Sequence, residues 1–401
     1  MDINIINTNY EIVGICDSFE SLIWNVKYND CGDFELCIPA NSEALQYLIE
    51  DYYLEIPDSD RTMIIEHYEP LTDAEDGSTV MFSGRSLESI LTRRIVWEQT
   101  VISGNLQNGI EKILNDAFIN PKDPKRKIRN FVFIKSNDPS ITAIVINETM
   151  FTGDEVGAVV NTLTQNVKIG WMVTLMKIIE VTQLPRTGNP KVIYILGDEK
   201  YYWDAYSNKF ENISNTVLPD EQFVIAFRLY SGKNRTTKQT TLPQVVFSLF
   251  NDNLFSARRV IDKKNYKNVT LIAGEGEGTA RRTMEYGDSE GLERREYYTD
   301  ARDISSNSGQ ADAISNTEYE KLLVERGKSK LAEQIIEREV EAEVDTSDLS
   351  MFKYQKDYYI GDTVDNIDEY GVKFASRISE MTIHIDSKGY SSYPIFEEED
   401  I

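Results

Sequence analysis

Residues 33–38 set Phe34, Leu36 and Ile38 against polar neighbours, a period of two that a half-buried β-strand satisfies and a helix does not. Short apolar or alternating runs at 3–6, 11–15 and 21–28, broken by Asn, Asp and Gly, repeat the message. Pro39 ends the clearest strand, and Asn41 is placed to cap a short helix carrying Leu45 and Leu48. Two further strands, 62–68 and 79–83, flank Asp73-Ala74-Glu75-Asp76-Gly77, whose turn chemistry predicts a hairpin. The first 95 residues are therefore expected to form a small barrel or sandwich.

From about residue 86 the period becomes helical. Leu87, Ile90 and Leu91 share one face, and residues 106–118 align Ile110, Ile113, Leu114 and Ala117. A basic, Pro-bounded stretch follows, from Pro121 through Lys122, Lys125, Arg126 and Lys127 to Arg129. Strands are expected at 131–134 and 142–146, a third helix at 154–165 and a long strand at 170–182. This alternation reads as an α+β module over about 96–205. Beyond it, strands return at 222–230, 245–249, 268–273, 279–286 and 294–299. One helix is expected at 317–339, with Tyr319, Leu323, Gly327, Leu331 and Ile335 in a stripe and a Ser315–Glu318 capping box. Strands at 358–364 and 374–385 lead to Glu397-Glu398-Glu399-Asp400-Ile401, an acidic end expected to fray. Two β regions, each interrupted by a mixed segment, point to an internal duplication.

Charge and composition narrow the function. Hydrophobic residues at 41% and charged residues at 27% exclude a disordered tail or a collagen, and 401 residues allow two to four domains. The excess of 67 acidic over 42 basic residues gives a formal charge of −25, which argues against a DNA-coating protein. An acidic surface also keeps a protein soluble and repels anionic polymers that pass close to it. Cys16, Cys31 and Cys37 contain no C-x-x-C pair and read as free thiols in a reducing cytosol. His67 and His384 both lie in alternating apolar runs, so each is read as a strand imidazole rather than as a catalyst or metal ligand. Neither a secretory leader nor an apolar run approaching the roughly 18 residues of a membrane span is legible, and synthesis and folding in the cytosol are expected.

Few motifs carry chemistry. Gly274-Glu275-Gly276-Glu277-Gly278 follows an apolar strand as a phosphate loop would, but its spacing is wrong and its two Glu would repel phosphate, so a turn is expected. Gly327-Lys328-Ser329 lacks the upstream Gly of a phosphate loop and sits inside a predicted helix. A carboxylate pair for glycan cleavage is not legible, and the 22 Tyr and 4 Trp fit strands as well as a sugar groove. The basic stretch at 122–129 lacks the interleaved aromatics of a nucleic-acid surface and reads as a solvated loop or a contact for an acidic partner. No catalytic, cofactor-binding or metal-binding residue is assigned, and no cofactor is expected.

Several blocks, in order along the chain, resemble one family. Ser21-Leu22-Ile23-Trp24, Gly32-Asp33-Phe34-Glu35-Leu36 and Ile38-Pro39-Ala40 are similar to the opening of siphovirus-type phage tail hub proteins, relatives of the N-terminal part of tail-associated lysins. The blocks 83–91, Arg94-Ile95-Val96-Trp97, Asn265-Tyr266-Lys267-Asn268-Val269, 273–278 and 300–307 continue the resemblance, which is weakest over 130–245.

The resemblance implies an α+β, β-rich fold with two tube-type β domains, a peripheral α+β domain and a small helical insertion. Their expected bounds are 1–95 with 206–256, 96–205, 257–300 with 341–401, and 301–340. It further implies a homotrimeric ring in the virion tail tip or baseplate, in which three chains imitate a six-fold tube around a channel that DNA only passes through. Distal-tail or tail-tube proteins and the tape measure would lie above, and a central spike, fibre or separate lysin below, with no membrane insertion by this chain. Since the sequence ends soon after the last expected strand, any cell-wall cleavage is assigned to a partner. Two other readings stay open from the residues themselves: a carboxylate-based hydrolase of cell-wall glycan, and a host-surface binding module with Tyr-rich faces.

Overall fold

The computed structural model describes residues 2–57, 59–73, 77–307, 313–344 and 350–399. Seven strands open the chain: β1 (Ile3–Ile6), β2 (Ile12–Cys16), β3 (Ser21–Lys27), β4 (Asp33–Pro39), β5 (Tyr53–Glu55), β6 (Thr62–Asp73) and β7 (Gly77–Ser86). In β3 and β4 every second side chain is buried, which places Leu22, Trp24, Val26, Phe34, Leu36 and Ile38 in one core with Leu54, Met63, Ile65 and Phe82. The pairing order is β3-β4-β7-β6, and β5, β1 and β2 continue past the first half of β6. The short helix predicted after Pro39 is a 3-10 turn at Glu43–Gln46 capped by Ser42, one residue beyond the expected Asn41.

A second module contains β8 (Thr100–Asn105), α1 (Leu106–Leu114), β9 (Phe131–Ile134), α2 (Pro139–Thr142), β10 (Val145–Phe151), α3 (Val156–Gln165), β11 (Gly170–Glu180), β12 (Val192–Leu196), β13 (Glu199–Asp204), β14 (Lys209–Asn212) and β15 (Phe223–Tyr230). Its six-stranded sheet runs β14-β13-β12-β11-β15-β9. Ile110, Ile113 and Leu114 of α1 and Val156 and Val160 of α3 pack with Trp171 and Phe227 of the sheet. Seven successive buried residues open β11, a pattern that belongs to a strand covered on both faces.

The remaining strands are β16 (Val246–Ser248), β17 (Leu254–Asp262), β18 (Val269–Ala273), β19 (Thr283–Tyr286), β20 (Glu296–Asp300), β21 (Glu337–Val344), β22 (Thr363–Ile367), β23 (Lys373–Asp386) and β24 (Gly389–Glu399), with α4 (Asn316–Ala332) between β20 and β21. Strands β18–β20 form a separate sheet in the order β19-β18-β20, on which α4 packs through Tyr319, Leu322 and Leu323. The others pair β17-β21-β24-β23, and β23 joins β3, so both β regions fuse into one thirteen-stranded sheet.

Several expectations need correction. The helix predicted to reach residue 339 ends at Ala332, and Glu337–Val344 is strand, paired residue by residue with β17. Its Glu-Arg-Glu-Val-Glu-Ala-Glu-Val sequence alternates with period two, which the helical stripe through Ile335 masked. The strand predicted at 142–146 starts only at Val145, because Asp138 and Pro139 open a helical turn first. Residues 87–93 are 3-10 rather than α-helical. The acidic end does not fray at Glu397 and Glu399, since β24 runs to Glu399, whose carboxylate is 2.7 Å from Arg377. Asp400 and Ile401 lie outside the described residues, as do residues 74–76 of the predicted turn.

The pairing also moves the expected domain bounds. β15 belongs to the six-stranded sheet and β16 pairs with β22, so 206–256 adds no strand to the first β unit. Residues 269–300 pair among themselves beside α4, so the insertion between β17 and β21 is larger than 301–340.

Candidate functional site

The residues screened for chemistry are dispersed. His67 is exposed on β6 and His384 half-buried on β23. Among the described residues no three His, Cys, Asp or Glu side chains are grouped to hold a metal ion. In the Gly274–Gly278 stretch, Gly276 and Gly278 take φ of +95° and +54°, and Glu275 accepts bonds from Ser306 and Arg282, so the loop is a pinned turn. Gly327 lies in α4, where a Cβ would come within 2.3 Å of Ile272, so its part is close helix–strand packing. The thiols of Cys16, Cys31 and Cys37 are free.

What the structure does assemble is a duplicated sheet. β3-β4-β7-β6 and β17-β21-β24-β23 have the same order of first, second, fourth and third strand. One row across the first unit is Trp24, Phe34, Gly84 and Ile65; the matching row across the second is Arg259, Val340, Phe396 and Ile378. The third strand of each carries a bulge just past that row, at Ile65/His67 and at Ile378/Glu380. Beyond the bulges the arms are equally long, 67–73 and 380–386. Before the bulges the edges are also matched. Ile65 accepts from Asp51 N–H and donates to the Tyr52 carbonyl, while Ile378 accepts from Gly361 N–H and donates to the Asp362 carbonyl. Asp51 and Gly361 both adopt positive φ, +64° and +86°.

The two units meet where β23 pairs antiparallel with β3, Glu380 opposite Lys27 through Ile385 opposite Leu22. Tyr28 locks this joint to the α+β module. Its hydroxyl accepts from Gly232 N–H at 3.1 Å and donates to the Lys168 carbonyl at 3.3 Å, and its ring meets Tyr230 edge-on at 5.1 Å. Its backbone N–H reaches Ser379 and its carbonyl accepts from Trp171. Beside it, buried Arg61 lies 3.1 Å from both Asp60 and Glu88 and donates to the Tyr230 hydroxyl at 3.0 Å. Burial pushes the Glu88 carboxyl above the usual glutamate range, while Arg61 and the Val173 N–H oppose that rise. Asp362 accepts from Lys233 N–H, Tyr359 N–H and Arg235, which ties the start of β22 to the chain after β15. Sequence reasoning passed over all of these residues, because the bonds that join them to other modules run between distant parts of the chain.

The sheet face opposite the core is polar and acidic. Asp33, Glu35, Glu69, Glu343 and Glu380 lie on it, and the alternation along β4, β6, β21 and β23 sets them there. Lys27 and Arg85 on this face are engaged, by Asp33 at 3.6 Å and Glu66 at 2.8 Å. The basic stretch sits elsewhere, in the α+β module. Pro124–Arg126 forms a 3-10 turn on the wall of an open cleft of about 820 Å³, where Arg126 stacks over Trp97 at 5.1 Å and Lys122 pairs with Glu98. No helix among the described residues is long and apolar enough to cross a membrane.

The comparisons agree with this architecture. The curated proteins contain no match to the chain. Over its whole length it superposes on the tail protein of Neisseria meningitidis MC58 with a TM-score of 0.52 at 12% identity, covering 96% of that chain. The 43 kDa tail protein of prophage MuSo2 from Shewanella oneidensis gives 0.53 at 12% identity, with 99% of this chain and 98% of that one covered. At such identity the likeness is one of fold. The model of the siphovirus ReqiPepy6 Gp37-like family matches residues 2–396. The chain therefore belongs to the siphovirus ReqiPepy6 Gp37-like family, and its fold is that of phage tail proteins.

Proposed function

We propose that the chain is the hub of the tail tip, three copies of which close into a ring that continues the tail tube, leaves a channel for DNA and carries a spike or fibre below. The observation that carries this reading is the duplicated sheet. Two equivalent four-stranded units per chain, in three chains, supply the six units that a six-fold tube requires. The acidic open face supports a DNA path, because exposed Lys or Arg repeated around a ring would hold phosphates through counterion release. The basic stretch, on the α+β module, is assigned to the outside, where an acidic neighbour can meet it.

On this reading the hub is not an enzyme, and cell-wall cleavage belongs to a separate protein. Imaging of the tail particle with this chain located tests the proposal: three copies around an axial channel are expected. A single copy, six copies, or a lumen lined by Lys125, Arg126 and Lys127 overturns it. Zymography of the purified chain is expected to give no lysis of peptidoglycan. A lysis band abolished by one Asp or Glu substitution would refute the non-enzymatic part.

A further inference from the structure

The matched units leave an asymmetry. In the second unit the arm 380–385 of β23 is covered by β3, whereas in the first unit no strand among the described residues pairs with the outer side of 67–73 in β6. Likewise β3 is covered by β23, while among the described residues its counterpart β17 ends the sheet and pairs only with β21. Each copy thus carries one uncovered arm and one uncovered edge, the two halves of a joint it already makes once internally. Long bare edges of this kind invite pairing.

We infer that the arm of β6 pairs antiparallel with β17 of a second copy in the register of the internal β23–β3 joint. This rests on the ring reading and names its seam. Transferring the internal register places His67 opposite Asp262, Tyr68 opposite Ile261, Glu69 opposite Val260, Pro70 opposite Arg259 and Leu71 opposite Arg258. The side chains suit the assignment. Tyr68 and Ile261, 63% and 49% exposed in the single chain, become a cross-strand apolar pair, and His67 faces a carboxylate. Pro70 brings a carbonyl but no N–H, as is usual for an edge strand, so the seam is less fully bonded than the internal joint. Because arm and edge lie at opposite ends of the eight-strand run, the contact is head-to-tail and closes only as a ring.

The test is disulfide trapping in assembled tail particles. Opposed Cα atoms about 4.5–5.5 Å apart fall within disulfide reach. The double variant Tyr68→Cys with Ile261→Cys is expected to run as a covalent trimer under non-reducing conditions. Each single variant, and the out-of-register pair Leu71→Cys with Ile261→Cys, should stay monomeric. Particles that image with three copies yet give no in-register trimer overturn the seam and leave the ring; particles without three copies overturn the ring itself. If the variants do not assemble, hydrogen exchange on unaltered particles decides. The amides within 67–72 and 257–262 that point away from β7 and β21 should exchange at least tenfold more slowly than in the free chain, and equal rates in both states refute the pairing.

Discussion

Replacing Gly361 by Ala should damage the joint between the two units by an amount that can be split into its causes. Gly361 has φ of +86°, and a Cβ there would lie 2.2 Å from the Tyr28 ring, which is itself held from four sides. Positive φ costs a non-glycine residue about 1–2 kcal/mol. Forcing the buried ring aside adds about 1–3 kcal/mol of overpacking, for a total of about 2–5 kcal/mol. Gly371 is the control, since its φ is +78° and nothing lies within 4 Å of its ideal Cβ. Gly371→Ala should therefore cost only the conformational part. Urea unfolding followed by tryptophan fluorescence reads the difference, because buried Trp171 is bonded through its backbone N–H to the Tyr28 carbonyl. With a slope of about 3 kcal/mol per M, the packing part moves the midpoint by about 0.3–1 M. In a Tyr28→Leu background the obstructing ring atoms are gone, and Gly361→Ala should then cost no more than Gly371→Ala. Equal midpoint shifts for the two glycines in the natural background would refute the steric argument.

Two further outcomes are expected. Arg61→Met leaves Glu88 buried without its cation and should cost about 3–5 kcal/mol, whereas adding Glu88→Gln removes the charge, keeps an acceptor for Val173 N–H and should restore at least half of the loss; a double variant no more stable than Arg61→Met contradicts the pairing. Bonds from Arg302 hold Asp300 down to about 2, with Arg281 assisting, so what Asp300 adds to stability is fully present above its ordinary value near 3.8 and is lost as pH falls through about 2. A carboxyl-carbon titration of Asp300 with its midpoint near 4 would show those bonds to be absent in solution.

The sequence discloses local structure far better than partnership. Strands β3, β4 and β9 were legible because alternation or a continuous apolar run leaves them no other good form. Strand β21 was missed because Glu and Arg are strong helix formers, and only pairing with β17 decides in favour of its alternation. Strands β12–β14 were missed because each is short and their mutual pairing, not their composition, makes them strands. The duplication showed only as a return to β character. Its hydrogen bonds match at Asp51 and Gly361, residues so unlike that no comparison of letters would align them. A usable signal did exist: each bulged strand ends in an Asp, Asp73 or Asp386, followed within four residues by a Gly that opens the next strand. The bonds that tie Tyr28 and Arg61 to the α+β module had no local sign, since Lys168, Met172 and Tyr230 lie more than a hundred residues away, although the ion-pair partners of Arg61, Asp60 and Glu88, are near in the chain.

Fusing two equivalent units into one chain changes the kinetics of building anything from them. Six separate units would need five encounters between diffusing molecules before the ring closes on itself. Here the β23–β3 joint is completed during folding, where the chain itself holds the two edges at an effective concentration on the order of millimolar or higher. Half of the joints in a six-unit assembly then become intramolecular, and of the three between chains only two are found by collision, the third closing the ring. The fusion also frees the two units to diverge. A substitution in β6 alters alternate positions around such an assembly and leaves the β23 positions untouched, so one rim can stay regular while the other acquires a lower symmetry.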